Sequence, residues 1–126
     1  MTVEADLITR LDAVSMVTDL VGSRVYASQA PQNVTRPFVV FHKLGADRRS
    51  AFVSDTGDVR YLFQFDCYAE TYDVSISVAN ALRFALQRYS GNSVHHVFVG
   101  SEKTMYNDEG ELYRSMIEFI VWYKES

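Results

Sequence analysis

The last sixteen residues, ELYRSMIEFIVWYKES, constrain the fold more than any other stretch. Side chains of a strand point alternately to opposite faces. Read that way, Tyr113, Ser115, Ile117, Phe119, Val121 and Tyr123 share one almost wholly apolar face. Leu112, Arg114, Met116, Glu118, Ile120, Trp122 and Lys124 share the other. One face belongs in a core. The other mixes apolar anchors with charge and needs a different cover.

Residues 59–68, VRYLFQFDCY, repeat the pattern. Val59, Tyr61, Phe63, Phe65 and Cys67 make an apolar row, and Arg60, Leu62, Gln64, Asp66 and Tyr68 make a mixed one. Three further extended pieces are predicted: a short one at 23–28, a strand at 37–44 opened by Pro37, and a strand at 94–105. Proline is tolerated at a strand's first position, where a missing donor costs least.

Two helices are predicted. Leu7, Leu11, Val14, Val17, Leu20 and Val21 recur at helical spacing, so a helix with one apolar stripe is expected over about 4–21, ended by Gly22. Thr71 is a candidate N-cap for a second helix over about 72–89, ended by Gly91. The polar segment GADRRSAFVSDTGD, 45–58, reads as a long loop carrying Asp47, Arg48, Arg49, Asp55 and Asp58. Asn107, Asp108 and Glu109, followed by Gly110, suit a short hairpin turn. The order of elements implies an α+β fold: a mostly antiparallel sheet of four to five strands with two helices packed on one face. The length of 126 residues suits a single domain, 1–126.

With both helices on one face, the other shows Arg60, Leu62, Asp66, Arg114, Met116, Glu118, Ile120 and Trp122. Aromatic and Met anchors among Arg and carboxylates are the chemistry of interfaces. Nine Arg against three Lys points the same way. A half-exposed sheet face with scattered apolar residues, or helices on both faces, are the alternatives. Subunit contact is the reading preferred.

No reaction is signalled. His95 and His96 are adjacent on a predicted strand and point apart, and His42 lies beside Lys43, so none forms a metal-ligand spacing. Cys67 continues an apolar row and reads as a small buried hydrophobe. Asp66 and Glu118 suit a salt bridge with Arg60 or Arg114 better than a carboxylate dyad. No glycine-rich phosphate loop and no nucleophile elbow occurs in the sequence. The net charge of −4 argues against a general nucleic-acid binder. The N-terminus carries Glu4, Asp6 and Asp12 and does not read as a signal peptide, and no stretch approaches a membrane span. No cofactor, metal or membrane partner is expected.

In order and spacing the chain resembles the tail completion (tail terminator, head–tail joining) proteins of long-tailed bacteriophages and related gene transfer agents. The resemblance rests on Leu20-Val21-Gly22 with Arg24-Val25-Tyr26, the Ala30-Pro31-Gln32 loop, and Pro37 opening an apolar strand. It continues with Gln64-Phe65-Asp66 leading through Tyr68-Ala69 into an Ala-rich helix, and with Leu112-Tyr113-Arg114, Phe119 and Val121-Trp122-Tyr123 in the closing strand. It implies a structural virion protein, assembled in a host cytoplasm, without catalysis. It implies a homo-oligomeric, hexameric ring at the head-proximal end of the tail tube, in contact with tail-tube protein and head or neck connector proteins. DNA would pass transiently through its lumen. The other readings are a head-completion adaptor, a tail-tube subunit, or a small ligand-binding or enzymatic α+β domain. Asp47, Arg48, Arg49, Asp55, Asp58, Asn107, Asp108 and Glu109 are the expected loop contacts.

Overall fold

A computed structural model describes residues 2–50, 55–91, 93–107 and 111–124. In chain order its elements are α1 (Val3–Asp12), α2 (Ser15–Val21), β1 (Val25–Ala27), β2 (Phe38–Ser50), β3 (Asp55–Ala69), α3 (Tyr72–Leu86), β4 (Val94–Asn107) and β5 (Leu112–Lys124). One sheet takes the order β1-β2-β3-β5-β4. β1 runs parallel to β2, and every other neighbour pair is antiparallel. The fold is α+β, as the pattern implies.

The two strands that alternate most clearly are neighbours at the sheet's centre. β3 and β5 pair without a slip from Asp58↔Lys124 to Ala69↔Tyr113. This register puts Val59, Tyr61, Phe63, Phe65 and Cys67 on the same face as Ile117, Phe119, Val121 and Tyr123, all buried. Val39 and Phe41 from β2, and Val94 and Val97 from β4, extend that face. Phe41 stacks on Phe65 at 5.1 Å, and Phe65 meets Phe119 edge-on at 5.5 Å. The helices supply Leu7, Leu11, Val17, Val21, Val78, Ala81, Leu82, Ala85 and Leu86 to the same core. Small residues along α3 let it lie close on β3 and β5.

The helical layer differs from expectation in two places. The helix expected over 4–21 is two helices, because Val14 takes an extended backbone (φ −105°, ψ 114°). Ala13 and Val14 donate back to Arg10 and Leu11, which limits the hydrogen bonds lost at the break. The apolar spacing continues through the break, so periodicity alone cannot reveal it. Each piece then lays its own pair into the core, Leu7 with Leu11 and Val17 with Val21. Gly22, at φ 58°, closes α2 in a conformation that a side chain would strain.

The other helix begins where Thr71 predicts, with the Thr71 hydroxyl accepting from the Val74 amide at 3.2 Å. It ends at Leu86, short of Tyr89, because Gln87 is extended and Arg88 has φ 62°. The released chain turns back so that the Arg88 amide donates to the Val97 carbonyl of β4 at 2.9 Å. Tyr89 still packs against the core, beneath the Arg10 guanidinium.

One buried polar contact ties α1 to the sheet. The Tyr123 hydroxyl donates to the Asp6 carboxylate at 2.6 Å, and both residues are buried. Burial, with the Asp6 hydrogen bond, pushes the Tyr123 phenol up to about 12. A raised phenol pKa means that this contact stabilises the fold fully below an ordinary tyrosine value of about 10. The contribution is lost as pH rises through about 12. Tyr123→Phe leaves the Asp6 carboxylate without this donor and should cost about 1–3 kcal/mol in urea unfolding at pH 7. The variant should also lose the part of the wild-type stability decline between about pH 10 and 12 that Tyr123 causes. An unchanged midpoint and an unchanged alkaline decline would contradict the assignment.

Candidate assembly surface

The register that fills the core leaves Arg60, Leu62, Gln64, Asp66 and Tyr68 of β3 beside Arg114, Met116, Glu118, Ile120 and Trp122 of β5 on the second face. β2 adds Val40 and His42 to it, and β4 adds His96, Phe98, Lys103 and Met105. The structure therefore gathers all eight of the residues singled out on the second face. Among the described residues no helix lies over this face, since the helices share the opposite core. The segment between β1 and β2 covers one corner only. There Tyr26, Ala30, Val34 and Tyr68 pack against Phe38, Val40 and Leu112, with Phe38 stacked on Tyr68 at 5.0 Å. Beyond this corner Met116, Ile120 and Trp122 are half-buried, and Phe98 is 49% exposed.

Asp66 is the exception. It is wholly buried although it lies on the uncovered face. Its own neighbours form the roof. The Arg114 Nη2 donates to Oδ2 at 3.0 Å, and the Gln64 Nε2 donates to Oδ1 at 2.9 Å. His42 Nε2 stands 3.5 Å from Oδ2. The Arg114 guanidinium also lies over the Tyr68 ring, 5.8 Å from its centre. Burial raises the Tyr68 phenol above its usual value, an effect partly offset by the Arg114 charge. The Arg114 Nε is buried with no hydrogen-bond partner. This is the Asp66–Arg114 salt bridge that strand chemistry suggests. Arg60 does not share it: Arg60 Nη1 bonds Asp47 Oδ2 at 3.1 Å. Glu118 accepts instead from the Ser101 hydroxyl. Asp66 and Glu118 thus take separate partners, and no carboxylate dyad forms.

The segment 45–58 corrects the sequence reading most. Its described parts, 45–50 and 55–58, are strand and not loop, and 51–54 lie outside the described residues. β2 and β3 continue into it from either side as a paired arm, with Gly45↔Leu62, Asp47↔Arg60, Arg48↔Val59 and Ser50↔Asp55 paired. Bulges interrupt the ladder between Lys43 and Gly45 and between Arg48 and Ser50. Cross-strand pairs such as Asp47–Arg60 stabilise a ladder without apolar side chains, so polarity did not signal a strand. β5 stops pairing at Asp58↔Lys124, and the arm runs on past that end of the sheet. Arg49 lies in β2, Asp55 in β3 and Asn107 in β4. Asp108 and Glu109 lie outside the described residues. The last β4–β5 pair, Asn107↔Leu112, lies at the opposite end of the sheet from the arm.

The remaining titratable groups form no reactive constellation. His95 Nε2 stands 3.5 Å from Asp58 Oδ1, and the His96 ring packs against Phe98 at 4.4 Å. With Trp122 these residues line an open hollow of about 510 Å³. Cys67 is fully buried, and burial, with the Asp66 charge second, pushes its thiol far above the reactive range. Among the described residues no group of three His, Cys, Asp or Glu could hold a metal ion. No helix among them is long and apolar enough to cross a membrane.

One cluster has no counterpart in the sequence reading. Tyr113 packs against Tyr106 at 4.9 Å and Tyr72 at 6.0 Å, beside the start of α3. Tyr72 and Tyr106 are exposed. They lie on separate elements, and only the fold brings them together.

The family model described as "Tail completion protein gp17" matches residues 5–124. No curated protein sequence matches the chain. Among solved structures, a chain of a particle described as "Virion of native gene transfer agent (GTA) particle" is similar, with a TM-score of 0.81 at 15% identity. The alignment covers 98% of this chain and 95% of that one. At that identity the likeness speaks for the fold.

The Asp66 site generates an asymmetric expectation. Arg114→Ala strands a buried carboxylate and should cost about 2–4 kcal/mol, somewhat below a fully buried pair because Arg114 retains partial exposure. Asp66→Asn keeps the shape and leaves Arg114 a route to water, and should cost about half as much or less. Urea unfolding of both variants checks this, and equal or reversed costs would contradict the assignment.

Proposed function

The chain belongs to the tail completion protein family, and from that premise we propose that it forms a ring, hexameric in the reading we favour, at the head-proximal end of a tail tube. Membership makes this a structural protein of a phage-type virion tail. In the proposed role the ring ends tube polymerisation, joins the tail to neck proteins of the head, and leaves a lumen for DNA. The work is geometric and no bond is made or broken. A heterologous contact repeated about an axis closes into a ring when the rotation permits.

The observation that supports this reading best is the second face. Met116, Ile120 and Trp122 stand there half-buried among Arg60, Arg114 and Glu118, uncovered by the chain's own helices. A neighbouring copy or another virion protein completes that face. The arm formed by β2 and β3 carries Asp47, Arg48 and Asp58 at the end of the sheet and runs on past them, and it serves as a second contact at one rim. Asp108 and Glu109, which follow Asn107 in the sequence, serve at the other.

Two experiments test the proposal. Particles assembled without this protein should appear as filled heads beside unjoined or overlong tails in electron micrographs. Normally joined particles would remove the role. Filled heads that leak DNA beside normal-length, finished tails would instead favour a head-completion adaptor, and absence of tubes would favour a tube subunit. Separately, deleting residues 47–56 should leave a folded subunit and reduce infectious assembly at least tenfold. Undiminished assembly would remove the arm's role.

A further inference from the structure

Both edges of the sheet are closed for part of their length and bare for the rest. At the β4 edge, Gly91 and Val94 exchange backbone bonds of 2.9 and 2.8 Å, and the Arg88 amide bonds the Val97 carbonyl at 2.9 Å. Past Val97, from 99 to 107, β4 has no strand neighbour on its outer side among the described residues. At the other edge β1 covers Val39 to Phe41, and the Ser28 amide closes on the Phe41 carbonyl at 2.8 Å. From 42 to 50, β2 has no outer strand neighbour among the described residues. An open edge presents unpaired donors and acceptors and is a template for another strand.

The two bare stretches are equal in length and lie at opposite ends of the sheet. Residues 42–50 of β2 run into the arm, whereas residues 99–107 of β4 run to the last β4–β5 pair, Asn107↔Leu112. β2 and β4 also point in opposite directions. From these placements we propose that, in the ring, the bare edge of β4 in one copy pairs antiparallel with the bare β2 edge of the next copy's arm. This rests on the ring reading and says which surfaces make the ring contact.

Three features favour a second copy as the occupant. First, the contact is heterologous: one edge meets the other, which permits a closed ring and not merely a two-fold pair. Second, the diagonal offset of the bare stretches shifts each copy along the strand direction. A sheet that closes on itself requires such a stagger. Third, the contact would cover Met105 and Tyr106, which are 37% and 50% exposed in the single chain. The second face is then left for other virion proteins.

The test uses two variants, Gly45→Cys and Lys103→Cys, both exposed and both on the second face of the sheet, with open space for a side chain at Gly45. Cys67 is buried and stays unmodified. Particles are grown with a mixture of the two variants and treated with a short bis-maleimide. The expected result is a crosslinked pair containing one Gly45→Cys chain and one Lys103→Cys chain, seen by mass spectrometry. The double variant should give a ladder up to the full ring. Crosslinks between two Lys103→Cys chains would show a two-fold edge contact and overturn the proposal. So would joined particles that carry both variants and give no crosslink. Absence of the chain from purified, joined particles would sink the ring reading itself, a distinct outcome.

Discussion

The slip-free pairing of β3 with β5 is the constraint on which the rest of the structure depends. From Asp58↔Lys124 to Ala69↔Tyr113, each core residue of one strand stands beside a core residue of the other. A shift of one residue would turn one strand over against the other, sending either Phe63 and Phe65 or Ile117 and Phe119 to the second face and bringing either Arg60 and Asp66 or Arg114 and Glu118 beneath the helices. Burying those charges without partners would cost more than the domain's whole stability. The register is therefore held by both faces at once. The apolar row excludes the slip from inside, and the charged row excludes it from outside.

The same register decides what the molecule offers to others. It places the Asp66–Arg114 pair in the middle of the second face, roofed by side chains of that face. Around this fixed polar centre stand Leu62, Met116, Ile120 and Trp122, with Phe98 at the margin. A charge pair held in one geometry carries positional information that a purely apolar face lacks. The bulges at Lys43/Gly45 and Arg48/Ser50 lie in the part of β2 that becomes the arm. Bulges twist and re-aim a strand, and the second of them acts where the arm leaves the support of β5. A tail completion protein needs surfaces that meet different neighbours, and the sheet's two faces, two edges and two ends supply chemically distinct ones.

Much of this was legible in the residues. Alternation in 59–68 and 111–124 reported both faces, because each strand has one side in the core. Thr71 reported the start of α3 because its hydroxyl has no better use than a cap. Other features were hidden for physical reasons. The break at Val14 preserves the apolar spacing, so periodicity could not locate it. Arg88 turns back to close part of the β4 edge, a long-range backbone bond with no local signal in the sequence. The arm is held by backbone pairing and an Asp47–Arg60 contact, neither of which needs apolar alternation. Asp66 is buried by groups from three strands, and its sequence neighbours alone gave no measure of that burial. The Tyr72, Tyr106 and Tyr113 cluster likewise exists only once α3, β4 and β5 are assembled.

The central claim is that this second face is completed by assembly rather than by the chain itself. Trp122 is the sole tryptophan and sits on that face, so its fluorescence reports on the claim directly. Acrylamide quenching should be measured on the free subunit and on the protein built into tails in which every other tryptophan is replaced by phenylalanine. The account predicts a blue-shifted emission and a several-fold fall in the quenching constant on assembly. An emission maximum and quenching constant that stay at their free-subunit values in joined tails would contradict it.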